Sequence, residues 1–160
     1  QMREKSKSPG AAPPKKRVPV REGFFTSLDK PLEQIRLKGC RCRSCGQAFL
    51  GPMAACENCQ SPDLKEITLS RRGKLYTYTV LRNKPPGDYK GPEPFQPFAA
   101  AMVELPEGLC ILSPLKDCSF ERLKVGMPLE LVVEPLYVDG EGNEVIAYKF
   151  RPSEAERGRP

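Results

Sequence analysis

The chain has 160 residues, of which seven are cysteine and none is histidine, and its formal net charge is +6. Without histidine, it lacks the commonest general base and every Ser-His or Cys-His nucleophile pair. No apolar run approaches the ~20 residues that a membrane-spanning helix requires, so the composition predicts no membrane segment.

The positive charge is concentrated at the N-terminus, because residues 1–21 hold seven basic side chains and one acidic one. Residues 1–18 are rich in Lys, Pro, Ser, Ala and Gly, and they have too little apolar surface to offset the entropy of ordering. We therefore predict a disordered basic tail at 1–18 and a short C-terminal tail at 153–160. The neutral remainder disfavours nucleic-acid binding, which calls for a basic field on the folded body.

Residues 19–37 are predicted to form a helical docking segment. Ser27 or Asp29 would cap a short helix, and Pro31 suits its first turn. An apolar edge follows, made of Leu32, Ile35 and Leu37.

Two cysteine pairs dominate residues 38–65, Cys42-Arg-Ser-Cys45 and Cys56-Glu-Asn-Cys59. The ten-residue gap between them lets the pairs fold back as facing knuckles around one tetrahedral metal, and four thiolates at ~2.3 Å suit a structural Zn²⁺. A disulfide framework and rubredoxin-like iron are the alternatives. Because metal-type pairs favour a reducing compartment, we expect a cytoplasmic protein.

The two knuckles differ in the residue that follows each pair. Gly46 follows the first pair, where such a turn often needs a positive φ, whereas Gln60 follows the second. Cys40 lies only two residues before Cys42, so the two cannot easily serve one corner of a tetrahedron. We leave Cys40 out of the predicted site.

Period-two patterning from residue 66 to 152 predicts strands. The segments lie near residues 75–81, 98–105, 108–112, 129–134 and 145–150, and Gly73 just before the first can mark a bulge or a bend. Five or six strands with glycine bends predict a small closed barrel of the OB-fold type. A Pro-rich loop at 83–97 connects the first two of these strands. Its length predicts that it contacts another molecule.

Little in the chain predicts catalysis. Cys110 lies in an apolar strand and is predicted to be a buried, inert thiol. Cys118 follows Asp117, whose charge opposes the thiolate that a nucleophile needs. We therefore predict no catalytic residue, and a binding module whose chemistry resides on another chain.

The order of these parts resembles a known family, which combines an N-terminal helical segment, a rubredoxin-like zinc ribbon and a C-terminal OB-fold. Its members accompany acyl-CoA thiolases, lipid-transfer-type aldolases and related enzymes. Besides the cysteine pairs, the matching stretches are Ser70-Arg-Arg-Gly73-Lys-Leu-Tyr76-Thr-Tyr-Thr-Val80, Pro97-Phe-Ala-Ala-Ala-Met-Val103, Val125-Gly126-Met127 and Tyr148-Lys-Phe150-Arg-Pro152. The resemblance implies a mainly β, non-catalytic subunit with one structural zinc, which docks on a thiolase-fold catalytic chain and shapes access for acyl-CoA.

That interpretation needs groups that contact CoA phosphates and groups that contact a partner. Local arginines are expected to bind phosphates through charge-assisted hydrogen bonds, and the candidates are Arg41, Arg43, Arg71 and Arg72. Aromatic side chains dominate interface hot spots, and the candidates are Phe24, Phe25, Tyr89 and Phe95. Phe24 and Phe25 are too apolar for a free linker and should dock on this chain's core or on a partner. For Phe98, on a strand, a core position is favoured.

Two other functions stay open. OB-folds and zinc ribbons also bind single-stranded nucleic acid, and Tyr76 and Tyr78 could stack on bases. A rubredoxin-like electron-transfer protein is the other alternative, and it would hold iron in place of zinc.

Overall fold

A computed structural model describes residues 16–153 of the chain. Among these residues, nine strands form two sheets, and helix is limited to 3₁₀ turns at Leu32–Gln34 and Phe120–Arg122. The strands are β1 Arg17–Pro19, β2 Lys38–Cys42, β3 Ala48–Leu50, β4 Leu64–Thr68, β5 Arg72–Leu81, β6 Phe98–Glu104, β7 Cys110–Pro114, β8 Pro128–Val138 and β9 Glu144–Pro152. The prediction of a mainly β protein is confirmed.

The smaller sheet carries the cysteine pairs. Its strands are antiparallel in the order β3-β2-β4, and Cys40 on β2 lies opposite Phe49 and Glu66. The first pair begins at the end of β2, and the second lies in the connection between β3 and β4. The hydrogen-bonded ladder therefore fixes where the two knuckles meet.

The larger sheet has the strand order β1-β9-β8-β5-β6-β7. It curls back on itself where Leu115, just after β7, forms a parallel bridge with Phe150 on β9. Alternation along β7 places Ile111 and Ser113 inside and Cys110 and Leu112 outside. The predicted OB-fold is confirmed with five strands, β5 to β9, within residues 66–152, and β1 adds a sixth strand that was not predicted.

Gly73 permits the close approach of β5 and β6 near the start of the barrel. A Cβ atom at this position would lie 2.7 Å from Glu104 O and 2.8 Å from Val103 Cγ1. Neither contact is tolerable, because the first involves backbone and the second a buried side chain. Glycine is therefore required here for packing.

One apolar core runs through both sheets. Leu37 and Leu69, which flank the smaller sheet, are fully buried together with Leu75, Leu129 and Phe150 of the barrel. Each fully buried aliphatic side chain contributes ~1.5–3 kcal/mol relative to an exposed one. The ribbon thus packs onto the barrel through a shared core and is not an independently packed unit.

The predicted helix in residues 19–37 is wrong. The segment contains only the 3₁₀ turn at Leu32–Gln34, and Phe25 forms an antiparallel bridge with Leu37. Ile35 and Leu37 are buried in extended conformation, because an irregular chain lying on the core covers the same apolar side chains as a helix face. The capping prediction also fails, since the turn has no side-chain cap.

The predicted tails lie mostly outside the described residues, which exclude 1–15 and 154–160. Within residues 16–18, disorder is wrong for Arg17 and Val18, which belong to β1 and pair in parallel with Glu144 and Val145. The Arg17 guanidinium anchors this strand by donating to Leu28 O and Lys30 O at 3.1 and 2.9 Å.

The C-terminal tail prediction, 153–160, begins with a residue that the structure does describe. Ser153 is buried, and its backbone N–H donates to Pro128 O at 3.2 Å. Within residues 16–153, no helix has the length and apolar character needed to cross a membrane.

Candidate functional site

The two cysteine pairs converge on one point. The Sγ atoms of Cys42, Cys45, Cys56 and Cys59 all lie within 4.8 Å of one another. Cys42 Sγ is 3.5 Å from Cys59 Sγ, and Cys45 Sγ is 3.6 Å from Cys56 Sγ. These separations far exceed an S–S bond of ~2.0 Å, and all seven cysteines are free thiols. The structure therefore disfavours the disulfide alternative.

The two knuckles have the same backbone geometry. Gly46 N donates to Cys42 O at 2.9 Å, and Gln60 N donates to Cys56 O at 2.8 Å. Gly46 and Gln60 both have positive φ, 81° and 68°. Gln60 therefore adopts a left-handed conformation without the freedom of glycine.

Donors within the knuckles stabilise negative charge on sulfur. The Asn58 side-chain amide, 3.5 Å from Cys45 Sγ, lowers the pKa of Cys45 to about 6, and a backbone N–H from Gln47 adds to this shift. The backbone N–H of Cys45 lowers the pKa of Cys42. These donors thus favour the thiolate forms of Cys42 and Cys45.

The pKa of Cys59 shifts in the opposite direction to those of Cys42 and Cys45. The backbone N–H of Ser61 favours its thiolate, but the neighbouring sulfur of Cys42 and burial prevail and raise the pKa of Cys59 to about 12. Like charges at 3.5 Å explain this result, because the sulfurs cannot all ionise without a cation between them. A divalent metal would remove that penalty and displace the remaining protons.

The residues present fit a zinc ion. Four sulfurs converging from two knuckles match the four-coordinate, all-cysteine donor set of structural Zn²⁺ sites. Iron accepts the same donors. The four cysteines could therefore bind one metal ion, with no position left for a substrate.

Cys40 is not part of this group. It lies on β2 and is buried, and burial, with the nearby Cys56 sulfur, raises the pKa of its thiol. Its neutral form suits a packed position between β3 and β4.

Arg41 connects the first knuckle to the barrel. Its guanidinium donates to Gly46 O at 2.8 Å and to Glu107 O, in the turn between β6 and β7, at 3.2 Å. Glu107 Oε1 in turn accepts hydrogen bonds from Ser70 N at 2.6 Å and Ser70 Oγ at 2.8 Å. Arg41 is thus engaged within this chain, and we do not carry it forward as a phosphate contact.

The other predicted phosphate contacts lie on or near the surface. Arg43 is exposed, and its Nε lies 3.6 Å from Asp63 Oδ1. Arg71 is half-buried and Arg72 is exposed, both at the start of β5. Contact with CoA stays a prediction for these three arginines.

The N-terminal phenylalanines pack on this chain. Phe25 is 7% exposed, and its ring centroid lies 6.3 Å from that of Tyr148. Its assignment to a partner interface is therefore wrong, and docking on this chain's own core is what the structure shows. Phe24 is half-buried against Gly51, with the Arg21 guanidinium 5.8 Å from its ring centroid.

Tyr89 and Phe95, in the Pro-rich loop, turn back toward the barrel. They cluster with Phe98 at the start of β6, with ring centroids 5.6–6.4 Å apart. All three are half-buried, so they form a wall above the sheet and do not project as isolated anchors. Phe98 is less buried than the predicted core position.

The remaining chemistry-bearing residues are dispersed. The prediction that Cys110 is buried is wrong, because it faces outward on β7, although partial burial and Glu104 raise the pKa of its thiol. Burial, with Asp117, raises the pKa of Cys118.

Tyr76 is exposed, whereas the half-buried Tyr78 donates its hydroxyl to Leu123 O at 3.4 Å. Tyr76 is therefore the more accessible ring of the two.

Family models match most of the described chain. A model for "ChsH2, rubredoxin-like zinc ribbon domain" matches residues 29–65, and one for "ChsH2, C-terminal OB-fold domain" matches residues 66–134. The resemblance inferred from the sequence is thus confirmed.

Individual relatives agree with these models. The chain is 35% identical over 124 residues to a "DUF35 domain-containing scaffold protein" of Methanocaldococcus jannaschii, covering 76% of this chain and 85% of the relative. It is 32% identical over 117 residues to "Benzoylsuccinyl-CoA thiolase subunit BbsA" of Geobacter metallireducens, covering 72% and 73%. A solved "Ltp2-ChsH2(DUF35) aldolase" chain superposes with a TM-score of 0.54 at 29% identity, covering 73% of this chain and 84% of that one.

Proposed function

Because the chain belongs to the ChsH2 (DUF35) family of zinc ribbon and OB-fold proteins, we propose that it is a non-catalytic, zinc-binding subunit of an acyl-CoA-processing enzyme. Its partner is a thiolase-fold catalytic chain, and the two form a hetero-oligomer. This subunit stabilises the catalytic chain and shapes the access of acyl-CoA.

The observation that carries the proposal is the closed four-sulfur cluster. Catalytic zinc sites keep one position open for water or substrate, whereas structural sites fill all four with protein ligands. Cys42, Cys45, Cys56 and Cys59 supply four sulfurs within 4.8 Å. The metal therefore acts as a cross-link between two knuckles, and the reducing cytoplasm keeps its ligands available.

The rest of the chain supports a non-catalytic role. The sequence has no histidine, and the three cysteines outside the four-sulfur cluster, Cys40, Cys110 and Cys118, have raised thiol pKa values. A cysteine nucleophile needs the opposite shift. Bond cleavage is thus assigned to the partner chain.

The names of the relatives support the class of partner. One relative is called a thiolase subunit, and one solved chain belongs to an aldolase assembly. We assign acyl-CoA to the interface of the two chains, where Arg71 and Arg72 are available for its phosphates, whereas Arg43 is paired with Asp63. Charge-assisted contacts of this kind do not require a basic protein body.

A finer form of the proposal names the benzoylsuccinyl-CoA thiolase of anaerobic toluene degradation. The 32% identity to the Geobacter subunit supports it. The 35% identity to the archaeal scaffold protein supports the general form equally well. A substrate panel that includes benzoylsuccinyl-CoA and short aliphatic 3-oxoacyl-CoA thioesters distinguishes the two forms.

The test is co-expression of this chain with the thiolase-type chains encoded beside its gene, followed by native mass spectrometry of the purified assembly. We expect a stable hetero-oligomer that contains zinc, with thiolysis only when the catalytic chain is present. Thiolysis by the rigorously purified single chain would contradict the proposal. Tight, salt-sensitive binding of single-stranded DNA by residues 16–160, which keep β1, without any protein partner, would favour the nucleic-acid alternative.

A further inference from the structure

A groove of about 460 Å³ lies between the Pro-rich loop and the barrel, where residues of β6, β7, β8 and β9 line it. Its volume falls in the ~300–1,000 Å³ range of ordinary ligand pockets. Apolar side chains dominate its lining, which includes Tyr89, Pro97, Phe98, Leu112, Leu115 and Leu136. This groove is separate from the cysteine cluster, and the zinc ribbon contributes no residue to it.

Aromatic side chains that pack against one another form one wall of the groove. Tyr89 stacks on Phe98 with their ring planes 12° apart, and Phe95 meets both rings at steep angles. Prolines fix φ along the loop, which lowers the conformational entropy that binding would otherwise remove. The groove is therefore formed before any occupant arrives.

Leu112 presents an apolar side chain to solvent from β7. It is 65% exposed, although it lines the groove together with buried Leu115. Leu112 is not a single exposed residue, because it is contiguous with the apolar lining of the groove, and contiguous apolar surface marks interaction sites. A partner that covers Leu112 would thus bury apolar surface that is exposed to solvent in the isolated chain.

The cations around the groove are already neutralised. Lys90 Nζ lies 2.8 Å from Asp88 Oδ2, and Lys149 Nζ lies 3.2 Å from Glu134 Oε1. Lys84, in the same loop, pairs with Glu93. The one hydroxyl in the floor, Ser113 Oγ, donates to Pro114 O at 2.9 Å.

Because each of these lysines is paired with a carboxylate, the groove favours an uncharged occupant. An acyl-CoA carries several phosphate charges and needs free cations nearby, which the lysines in this part of the described chain do not offer. An uncharged apolar protein segment needs none, and charged residues are depleted at the centres of protein interfaces. Neutral apolar surface is thus the complement of this groove.

From this complementarity, we infer that the groove is the docking surface for the catalytic subunit, which inserts an uncharged apolar segment against Leu112 and the aromatic wall. The inference rests on the proposed function, because it assigns a surface to the same partner. It places this apolar contact on the OB-fold, apart from the cysteine cluster.

The experiment measures affinity between the full chain and the catalytic chain identified by co-expression. The variants are Leu112→Asp, the milder Leu112→Ser, and the matched control Val125→Asp, which alters a 69% exposed apolar residue outside the groove. We expect Leu112→Asp to raise Kd about 10-fold or more, Leu112→Ser to raise it less, and Val125→Asp to leave it within about twofold. Thermal melting and zinc content of each variant verify that its fold is intact.

Each outcome separates the inference from the function on which it rests. Unchanged affinity in both Leu112 variants overturns the docking surface and leaves the subunit proposal standing. Failure of the wild-type chain to bind any catalytic chain overturns the subunit proposal and the docking surface with it. If Leu112→Asp abolishes binding of octanoyl-CoA to the isolated chain while the complex forms normally, the groove binds a thioester and the inference is wrong.

Discussion

Gln60 occupies in the second knuckle the position that Gly46 occupies in the first, and both residues have positive φ angles, 68° and 81°. Their N–H groups close equivalent turns onto Cys56 O and Cys42 O. The two knuckles therefore share one backbone conformation, but only the first has glycine, the residue type that adopts a positive φ without strain.

This asymmetry predicts that Gln60→Gly stabilises the ribbon. A left-handed conformation costs a non-glycine residue ~1–2 kcal/mol, and the entropy of glycine in the unfolded chain offsets part of that gain. We expect a net gain of ~0.5–1 kcal/mol, measured as slower zinc release to a chelator and a higher unfolding midpoint.

The reciprocal variant, Gly46→Gln, is the matched control. A Cβ at this position meets no heavy atom within 4 Å, so its cost is conformational alone. We expect it to destabilise the ribbon by a similar amount. Equal stability of all three proteins would show that the turn tolerates either residue.

Replacement of single cysteines should identify the metal ligands. We expect Cys42→Ser and Cys59→Ser to lose bound zinc and to unfold the ribbon, because metal binding and local folding are coupled. Elemental analysis and circular dichroism measure the two effects. Cys110→Ser, at an exposed position on β7, is the control and should retain zinc and melting behaviour. Full zinc in both ligand variants would contradict the assigned set.

The parts of the fold that sequence reasoning predicted depend on short-range patterns. Paired cysteines with a fixed gap can meet in few ways, and alternation along β7 and β8 directly reports one buried face. The predictions that were wrong concern conformations that only tertiary packing determines. Ile35 and Leu37 fit a helix face or an extended chain equally well, and the core selected the extended form.

Two site residues illustrate the same limit. Cys110 has apolar neighbours, but the register of β7 turns Ile111 inward and leaves Cys110 outside. Arg41 was predicted as a phosphate contact from its nearby arginines, and the structure shows a role that the sequence did not indicate, since its guanidinium joins Gly46 O to Glu107 O. The position of Glu107, 66 residues away along the chain from Arg41, has no local signal in the sequence.

Glu107 provides a third prediction, because its two carboxylate oxygens have different surroundings. Oε1 accepts two hydrogen bonds from Ser70, whereas Oε2 is buried without a hydrogen-bond partner among the described residues. In Glu107→Gln the amide oxygen can keep the Ser70 bonds while the buried charge disappears. We expect a change in unfolding free energy below ~1 kcal/mol for this variant.

Glu107→Ala is the contrasting variant. It leaves the Ser70 N–H and hydroxyl unpaired at the joint between ribbon and barrel, which costs ~1–3 kcal/mol. Urea unfolding of the zinc-loaded chain measures both variants. If the glutamine variant is as unstable as the alanine variant, then Oε2 has a partner, such as a bound water or cation.

Glu134 makes stability depend on acid pH. Its Oε2 accepts a hydrogen bond from Lys116 Nζ at 2.6 Å, and its Oε1 lies 3.2 Å from Lys149 Nζ. Burial opposes ionisation, but the two lysines prevail and lower the pKa of Glu134 below its ordinary value of 4.5. The resulting stabilisation is fully present above that value, and it is lost as the pH falls through the lower pKa of the folded state.

We therefore expect Glu134→Gln to destabilise the chain by ~1 kcal/mol at pH 7, since it removes two partly buried ion pairs. The difference from wild type should shrink as the pH falls below 4.5 through the lower pKa of the folded state, because protonation then neutralises Glu134 in the wild-type chain. Denaturant unfolding at several pH values measures this change. Glu121→Gln, at an exposed position in the 3₁₀ turn, should stay within ~0.5 kcal/mol throughout. A Glu134→Gln deficit that is equally large at pH 2 would assign its effect to packing instead of charge.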